Sequence, residues 1–385
     1  GTEVQDFNYE DNWYELTDGY GFSLTMVDPT NTDPNLWDSK AGWRSSFYEG
    51  GTPGQAPVAA LAADSIVINE VLAHSHDINP DWIELRNTTA QAINIGGWFL
   101  SDDDSDPNMI RKYEIPSGTS IGAYGYYVFQ QNTSFGNISN SGCHIPFGLS
   151  EGGETVYLYS GENGEITGYY QTQQKFDASE RDITFGRYEK AELSGGYDFV
   201  RQAAQTKGTG NSDPLIPDIV ITEIHYNPVD GADYEFVELY NRSLSAVTLE
   251  TSVTTETSPG VFITESIPWR LEGTGYEFDE GITIPGHSYI IVAKNPTMYG
   301  SPSYAFGPYD GKLDNGGEEI ELQIPGDQEY GQDRYWIPIE KIDYDDEAPW
   351  PTSPDGAGDS LHRINIGLYG RDYSNWIEGT PNPGN

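Results

Sequence analysis

The sequence predicts an all-β protein built of sandwich modules, and three observations lead to this prediction. Short runs of alternating or β-branched residues recur along the chain, and clusters of Gly, Pro, Asn or Asp separate them. The composition includes 44 Gly, 24 Pro and 27 Tyr, as expected for many turns between short strands. Long segments are also repeated within the chain, at an interval suited to whole domains. Almost no segment has helical periodicity, so a β-sandwich is expected.

The predicted strands follow one another along the whole chain. Their apolar residues either alternate with polar ones or form short continuous runs, which is typical of half-buried and fully buried strands. We expect strands at 66–72, 82–86, 93–100, 121–129, 154–160, 219–225, 235–240, 282–293, 318–324 and 335–344.

Alternation also indicates which side chains fill the core. In the strand 82–86, Ile83 and Leu85 occupy alternate positions, so one face is expected to pack inward while the other carries charge. Val237 and Leu239 occupy the matching positions of a second strand. These four side chains are therefore expected in the cores of their modules.

Two long segments of the chain are versions of one sequence. "SIVINEVLAHSHDINPDWIELRN" at 65–87 matches "DIVITEIHYNPVDGADYEFVELYN" at 218–241. Further along, "LSEGGETVYLY" at 149–159 matches "LDNGGEEIELQ" at 313–323. Because the two matches keep the same order, each belongs to a complete repeated module.

The repeats set the expected domain organisation. One complete module is expected at 65–207 and a second at 218–385, connected by short joints rich in Ala or in Gly, Asp and Pro. The second module carries an additional Thr-rich stretch at 249–268, in which polar and apolar residues alternate. We expect this stretch to form an added hairpin or a long exposed loop.

The start of the chain resembles only the closing part of a module. "FNYEDNW…DGYGFSL…EGGTPG" at 7–54 parallels "IDYDDEAPW…DGAGDSL…EGTPNPG" at 342–384. Residues 1–56 are therefore expected to be the C-terminal part of a preceding module, or strands appended to the first complete one. Strands without partners expose apolar surface and sheet edges, so this segment is expected to mediate end-to-end assembly. The candidate assembly residues are Phe7, Tyr9, Trp13, Phe22 and Leu24.

Composition narrows the classes of partner. With 19 Lys and Arg against 61 Asp and Glu, the formal net charge is -42. Such a surface repels nucleic acid and anionic lipid, so neither is expected to bind. The chain has one cysteine, Cys143, which excludes an intrachain disulfide. No apolar run reaches membrane-spanning length, so membrane insertion is not expected either.

The order of these motifs resembles the lamin-tail domain family. The motifs are I-N-E, W-I-E-L-x-N, G-W-x-L-S-D and I-P-x-G-T-x-I in the first module, and the resemblance covers 65–205 and 218–385. The second module departs from the pattern, because Leu271-Glu272-Gly273 replaces the Leu-Ser-Asp turn. The family has an immunoglobulin-like β-sandwich fold and occurs in tandem in large secreted bacterial and archaeal proteins. The resemblance implies tandem interaction modules with no catalytic residues to carry over.

An acidic turn is the candidate metal site. "SDDDSD" at 101–106 places several carboxylates on a short loop, which suits calcium. The turn lacks the spaced acidic ladder of a helix-loop-helix calcium site, so a solvated loop is the competing interpretation. The candidate ligands are Asp102, Asp103, Asp104 and Asp106.

A histidine-rich loop is a second and weaker metal candidate. His74, His76 and Asp77 lie at a spacing that suits a transition metal. The second module has no matching histidine pair, so an incidental polar loop is favoured.

Paired strand glutamates recur in both modules. Glu70 and Glu84 in the first module correspond to Glu223 and Glu238 in the second. They suggest a general acid and base, but their recurrence on strands favours structural partners for Arg or for backbone donors.

Four tripeptides match the N-glycosylation sequon. Their asparagines are glycosylation candidates, although such tripeptides often occur by chance. They are Asn87, Asn132, Asn137 and Asn241.

Together these observations favour a non-catalytic, extracellular protein at a cell surface, acting as a scaffold or filament subunit. Its expected partners are other copies of itself or further modules of the same chain, with glycans as a further candidate. The alternative is an accessory ligand- or glycan-binding region of a larger secreted enzyme. In that case Trp13, Trp37, Trp43, Tyr169 and Tyr170 are candidates for a sugar-stacking platform.

Overall fold

The computed structural model describes residues 7–54, 60–76, 80–190, 196–300 and 303–384. Within these residues strands dominate, and one α-helix of four residues is present, Pro34–Trp37. The predicted all-β fold is confirmed. The chain divides into two compact units: the first comprises Gly1–Phe176, Arg181–Arg187 and Gln205–Ser212, and the second comprises Asp177–Glu180, Tyr188–Ala204 and Asp213–Asn385.

Two segments at the limits of the expected modules fall in these units as follows. Residues 7–54 join the first unit, because Leu16 and Phe22 pack against its core. Residues 188–204 join the second unit, where Tyr188 packs edge-on against Tyr369.

The first unit is a sandwich of two sheets. Strands β12, β3, β4 and β9 lie side by side in one sheet, and β11, β10, β6 and β7 form the other. The strands are β1 (Leu24–Met26), β2 (Trp43–Ser45), β3 (Ile66–Leu72), β4 (Trp82–Asn87), β5 (Ile93–Asn94), β6 (Phe99–Ser101), β7 (Tyr113–Glu114), β8 (Ser120–Ile121), β9 (Tyr126–Gln130), β10 (Gly153–Glu162), β11 (Glu165–Asp177) and β12 (Phe185–Glu189). Short 3-10 turns lie at Asp11–Trp13, Glu15–Thr17, Lys40–Gly42 and Met109–Arg111.

The second unit repeats this arrangement with more strands. Its larger sheet has the order β23-β22-β15-β14-β26-β27, and the facing sheet has the order β20-β19-β24-β25. The strands are β13 (Tyr197–Arg201), β14 (Ile219–His225), β15 (Phe236–Asn241), β16 (Val247–Thr248), β17 (Glu250–Ser258), β18 (Val261–Pro268), β19 (Arg270–Glu272), β20 (Tyr276–Glu277), β21 (Thr283–Ile284), β22 (Tyr289–Ala293), β23 (Ala305–Phe306), β24 (Glu318–Pro325), β25 (Trp336–Tyr344), β26 (Ser360–Arg363) and β27 (Trp376–Gly379). Its 3-10 turns are Ala232–Tyr234, Pro296–Tyr299 and Tyr373–Asn375.

The predicted core positions are confirmed in both units. Ile83, Leu85, Val237 and Leu239 are all fully buried. In the second unit these side chains belong to one cluster that the two sheets enclose. Burying an aliphatic side chain contributes about 1.5–3 kcal/mol, so these strands are held mainly by the hydrophobic effect.

The opposite face of β4 and β15 differs from the expectation of a charged outer surface. Trp82 and Glu84 are fully buried, and Phe236 and Glu238 are 0% and 2% exposed. In the first unit the segment after β12 covers this face, and the Lys207 ammonium lies 4.8 Å from the Trp82 ring centre. Both faces of these strands are therefore buried.

The Thr-rich stretch of the second unit is an added hairpin, one of its two predicted forms. Strands β17 and β18 pair from Glu250↔Pro268 to Ser258↔Val261. Val261, Phe262 and Ile263 are exposed at the start of β18. No helix in the described part of the chain is long and apolar enough to cross a membrane.

Candidate functional site: the paired glutamates

In each unit two glutamates face each other across a pair of antiparallel strands. Glu70 on β3 lies directly opposite Glu84 on β4, and Glu223 on β14 lies directly opposite Glu238 on β15. Directly opposed residues place their side chains on one face, with Cβ atoms about 4.5–5.5 Å apart. Two like charges at this spacing destabilise a sheet unless other groups compensate. Both units contain such compensating groups.

A β-bulge supplies the first of these groups. The strand register shifts between Ile68 and Glu70 in the first unit, so Asn69 is an additional residue in β3. Its Nδ2 atom donates a hydrogen bond to Glu84 Oε1 at 2.8 Å. In the second unit the register shifts at the equivalent place, and Thr222 Oγ1 donates to Glu238 Oε1 at 2.7 Å.

In each unit a segment further along the chain supplies the second group; it lies beyond β12 in the first unit and directly after β27 in the second. In the first unit the Thr206 amide donates to Glu70 Oε1 at 3.1 Å, and its hydroxyl donates to Oε2 at 2.6 Å. Two residues later the Gly208 amide donates to Glu84 Oε2 at 2.6 Å. This segment, residues 205–212, is called the first tail below.

The second unit has the same arrangement at residues 380–384, the second tail. The Asn382 amide donates to Glu223 Oε1 at 3.2 Å, and the Gly384 amide donates to Glu238 Oε2 at 2.7 Å. Each tail therefore binds one glutamate pair through two backbone amides separated by a single residue.

A hydroxyl at the start of β12 and of β26, called the closing strands below, supplies the third group. Thr184 Oγ1 donates to Glu70 Oε1 at 2.6 Å in the first unit. Ser360 Oγ donates to Glu223 Oε1 at 2.5 Å in the second. The interpretation of the strand glutamates as partners for backbone donors is confirmed, with hydroxyl groups in addition.

The electrostatics follow from burial. Desolvation raises the pKa of Glu84, Glu223 and Glu238 to about 7, and it raises the pKa of Glu70 above its ordinary value. The facing carboxylate raises the pKa of Glu84 and Glu238 further, while the amide and hydroxyl donors oppose the shift. Each pair is therefore poised to take up a proton near neutral pH, with its oxygens bound to groups of its own unit.

The structure does not bring the acidic-turn residues together as a metal site. Asp102 and Asp103 both lie against the Lys112 ammonium, at 2.6 and 3.6 Å. Asp106 accepts a hydrogen bond from the Asn108 amide, and the Asp104 carbonyl accepts one from the Tyr20 hydroxyl. Among the described residues, no group of three or more His, Cys, Asp or Glu side chains is placed to hold a metal ion.

The histidine-rich loop is only partly described. His74 Nε2 lies 3.1 Å from Glu151 Oε2, and His76 is exposed. Asp77 lies outside the described residues.

Two of the four sequon asparagines are buried. Asn87 Nδ2 donates to the carbonyls of Gln91, Ile121 and Gly122, and its Oδ1 accepts from the Thr89 amide and hydroxyl. In the second unit Asn241 makes equivalent bonds, to the Ser245 and Ile284 carbonyls and from Ser243. Because these Nδ2 atoms are engaged, the folded protein offers no glycosylation site at either position. The sequon spacing here comes from a turn, in which the Asn side chain accepts hydrogen bonds from the Thr or Ser two residues later.

The other two sequons lie nearer the surface. Asn132 is exposed, and Asn137 is half-buried with its Oδ1 accepting from the Ser139 amide. These two positions remain the glycosylation candidates.

The proposed aromatic platform is not assembled as expected. Trp43 and Tyr170 are 7% and 5% exposed, because Trp43 stacks on Phe7 and Tyr170 stacks on Trp98. Trp13, Trp37 and Tyr169 are half-buried.

The candidate assembly residues fall into two groups. Phe22 is 9% exposed and belongs to a cluster with Leu16 and Phe99, so it anchors the N-terminal segment to its own unit. Tyr9 is 66% exposed. The half-buried members are Phe7, Trp13 and Leu24.

Sequence reasoning missed the tails and the hydroxyl donors. A signal for them existed, because "KGTG" at 207–210 lies beyond β12 and "GTPNPG" at 379–384 begins at the end of β27. The pairing of each tail with glutamates more than a hundred residues earlier needs the fold.

The strands, arranged in several sheets, define an all-β protein with immunoglobulin-like domains. Residues 59–173 match the family model of the lamin tail domain, so this part of the chain is similar to that family. The lamin tail domain is a non-enzymatic fold. Neither the curated proteins nor the solved structures gave a match to the chain.

Proposed function

We propose that this protein is a non-catalytic, extracellular structural protein, in which β-sandwich units are joined end to end at a cell surface. The observation that carries the proposal is the closure of each glutamate pair by a tail of its own unit. These carboxylates were the only candidate acid and base that the sequence offered, and they serve to hold the chain.

Composition supports the extracellular location. The net charge of -42 keeps a protein soluble at high salt and repels nucleic acid and anionic lipid. The single cysteine is buried and free, so stability does not depend on the redox state of the surroundings.

The alternative function is an accessory glycan-binding region of a larger secreted enzyme. It has less support, because two of the five platform aromatics, Trp43 and Tyr170, are buried in aromatic stacks. A glycan array probed with the labelled protein separates the two functions. Saturable binding that is lost in Tyr169→Ala would favour the accessory role.

The experiment that tests the proposal is immunogold electron microscopy of the source cells. Antibodies raised against the purified 385-residue chain should label the outer surface or filaments that project from it. Serum depleted on the immobilised chain is the control. Label confined to the cell interior would contradict the proposal.

A further inference from the structure

The N-terminal hairpin, formed by β1 and β2, repeats the closing hairpin of the second unit, formed by β26 and β27. Met26 pairs with Trp43 as Arg363 pairs with Trp376, and Leu24 pairs with Ser45 as Leu361 pairs with Glu378. The two hairpins therefore have the same register as well as related sequences.

In the second unit the outer edge of the closing hairpin is paired. Strand β26 lies antiparallel to β14, with His362 opposite Glu223 and Leu361 opposite Ile224. Leu361 is fully buried, and Ser360 donates its hydroxyl hydrogen bond to the Glu223 carboxylate.

In the first unit β12 pairs with β3 in the same way. Phe185 lies opposite Val71 and Gly186 lies opposite Glu70. A hydroxyl, that of Thr184, again binds the glutamate of the partner strand. In both units a closing strand, β12 or β26, thus pairs with the strand that carries the first glutamate, β3 or β14.

At the N-terminal hairpin the corresponding edge is open. Within the described residues β1 pairs with β2 and with no other strand. The Ser46 amide donates to the Ser23 carbonyl, and the Val27 amide donates to the Gly42 carbonyl. The backbone amides and carbonyls of Ser23, Thr25 and Val27 therefore point toward β2. Hydrogen bonding alternates along an antiparallel strand, so the Leu24 and Met26 amides point to the open edge. Residue Ser23 is exposed, whereas its counterpart Ser360 is fully buried.

A second observation, independent of β1, concerns Tyr9. Its counterpart in the sequence repeat, Tyr344, is 2% exposed and stacks on Tyr226 with ring centres 4.7 Å apart. Tyr9 is 66% exposed. A cavity of about 410 Å³ lies between Tyr9 and the open edge, lined also by Phe7, Leu24 and Trp43.

The open edge is held in a fixed position. Leu16 and Phe22, which precede β1, are buried against Phe99 and Tyr159 of the same unit. The Tyr159 hydroxyl donates to Glu15 Oε2 at 2.9 Å. These contacts fix the position of the hairpin, whose β1 edge has no partner strand among the described residues.

We propose that the β1 edge binds the strand pair of a third lamin-tail-like unit, distinct from the two in this chain. The bound strand runs antiparallel to β1 and carries a glutamate followed by an aliphatic residue, as Glu223 and Ile224 do on β14. Ser23 donates to that glutamate, Leu24 packs beside the aliphatic residue, and the incoming unit covers Tyr9. The proposal rests on the proposed function, since it identifies the joint between units.

A synthetic peptide tests this partner directly. The peptide has the sequence of residues 218–241, which contains both strands and both glutamates of the pair. The control peptide carries Glu223→Lys. Binding to the full 385-residue chain is measured by isothermal titration calorimetry, and protection of the Leu24 and Met26 amides is measured by hydrogen exchange. We expect saturable binding of one peptide per chain, at least tenfold weaker for the control peptide, with protection of both amides.

Two variants of the chain locate the contact. Leu24→Pro removes an amide that faces the open edge but none that faces β2, and proline is tolerated on edge strands. It should lower the affinity at least tenfold. Ser23→Ala should lower it about three- to tenfold through one lost hydrogen bond. Unchanged tryptophan fluorescence and melting temperature confirm that both variants fold.

Three results would overturn the proposal. They are the absence of binding at millimolar peptide, equal binding of the two peptides, and Leu24-sensitive self-association of the chain in sedimentation velocity without peptide. The last result would make the partner a second copy of this chain. None of them depends on where the protein is located in the cell, so failure here is distinguishable from failure of the immunogold experiment.

Discussion

Residues at equivalent positions of the two units perform the same physical task, and the facing glutamates are the clearest case. Burial of Glu238 at 2% exposure raises its pKa to about 7, mainly by desolvation. Folding therefore favours the protonated form of this side chain. The stability contributed by protonation is complete below the ordinary glutamate pKa of about 4.3 and is lost as the pH rises through about 7.

We therefore expect Glu238→Gln to stabilise the second unit at pH 8. The neutral amide removes a buried charge beside Glu223 but keeps one of the two acceptor oxygens that Thr222 and Gly384 use, so the net gain at pH 8 should be about 1–2 kcal/mol and the variant should be less stable than the parent at pH 5. Scanning calorimetry of the full chain between pH 5 and 8 measures the effect. Glu329→Gln, at an exposed position of the same unit, is the matched control. An equal or lower melting temperature for Glu238→Gln at pH 8 would show that the carboxylate is needed.

The buried sequon asparagines lead to a second prediction at this scale. Asn87→Ala leaves the buried Ile121 carbonyl and the half-buried Gln91 and Gly122 carbonyls without their donor, so we expect a loss of about 2–4 kcal/mol in the first unit. Asn132→Ala, at the exposed sequon, should change stability by less than about 0.5 kcal/mol. Thermal unfolding followed by circular dichroism compares the two variants. Equal losses would mean that the Asn87 contacts contribute nothing.

Elements with short, nearly continuous apolar runs were the most predictable part of the fold. The strands at 66–72 and 219–225 match their predicted limits, because their runs of Ile and Val are fully buried on both faces. The run at 93–100 is broken into Ile93–Asn94 and Phe99–Ser101, since Gly97 takes a left-handed φ of 82° in a turn between them. Sequence periodicity does not show such a turn inside an apolar run.

The elements that periodicity missed are the polar ones. Strand β11, Glu165–Asp177, contains a run of Thr, Gln and Tyr without clear alternation, although it is the longest strand described. The tails have no regular structure, and their role depends on contacts with strands far away in sequence. Local patterns predict strands well, whereas long-range hydrogen bonds have no local signature.

The N-terminal segment provides a prediction at the scale of the element. Phe22→Ala removes a buried ring from the cluster that holds this segment, and Phe→Ala in a core costs about 3–5 kcal/mol. We expect faster tryptic cleavage at Lys40 and Arg44 and a lower melting temperature. Tyr9→Ala, whose ring is 66% exposed, is the control and should change neither. Identical cleavage rates for the two variants would show that Phe22 does not anchor the segment.

At the scale of the whole molecule the excess of acidic residues dominates. A formal charge of -42 destabilises any compact state by self-repulsion, so every cation should stabilise the fold to some degree. A calcium effect at the acidic turn must therefore be separated from general screening.

The variant Lys112→Met should separate a specific calcium effect from general screening by cations. The ammonium of Lys112 neutralises Asp102, whose side chain is 15% exposed, so the variant leaves a largely buried carboxylate without its cation. Its melting temperature should fall, and millimolar calcium should restore more of it than sodium at the same ionic strength. Calorimetry with calcium, sodium or EDTA provides the comparison, with Lys175→Met as an exposed-lysine control. Equal shifts with both cations would exclude calcium binding at this turn.

The tails also determine how each unit responds to a pulling force. In the second unit the tail lies at the end of the described residues, where two backbone amides hold two carboxylates on neighbouring strands, so we expect a force applied at residue 384 to load these bonds first. Because hydrogen bonds are short-ranged, we expect these bonds to act as a clamp on the tail and to break before the strands of the sandwich separate. Because a carboxylate accepts hydrogen bonds more strongly than a protonated carboxyl group does, the clamp is stronger above pH 7 than below it. We therefore expect the same carboxylates to lower the thermal stability of each unit and, at the same time, to strengthen its hold on the tail at neutral or alkaline pH.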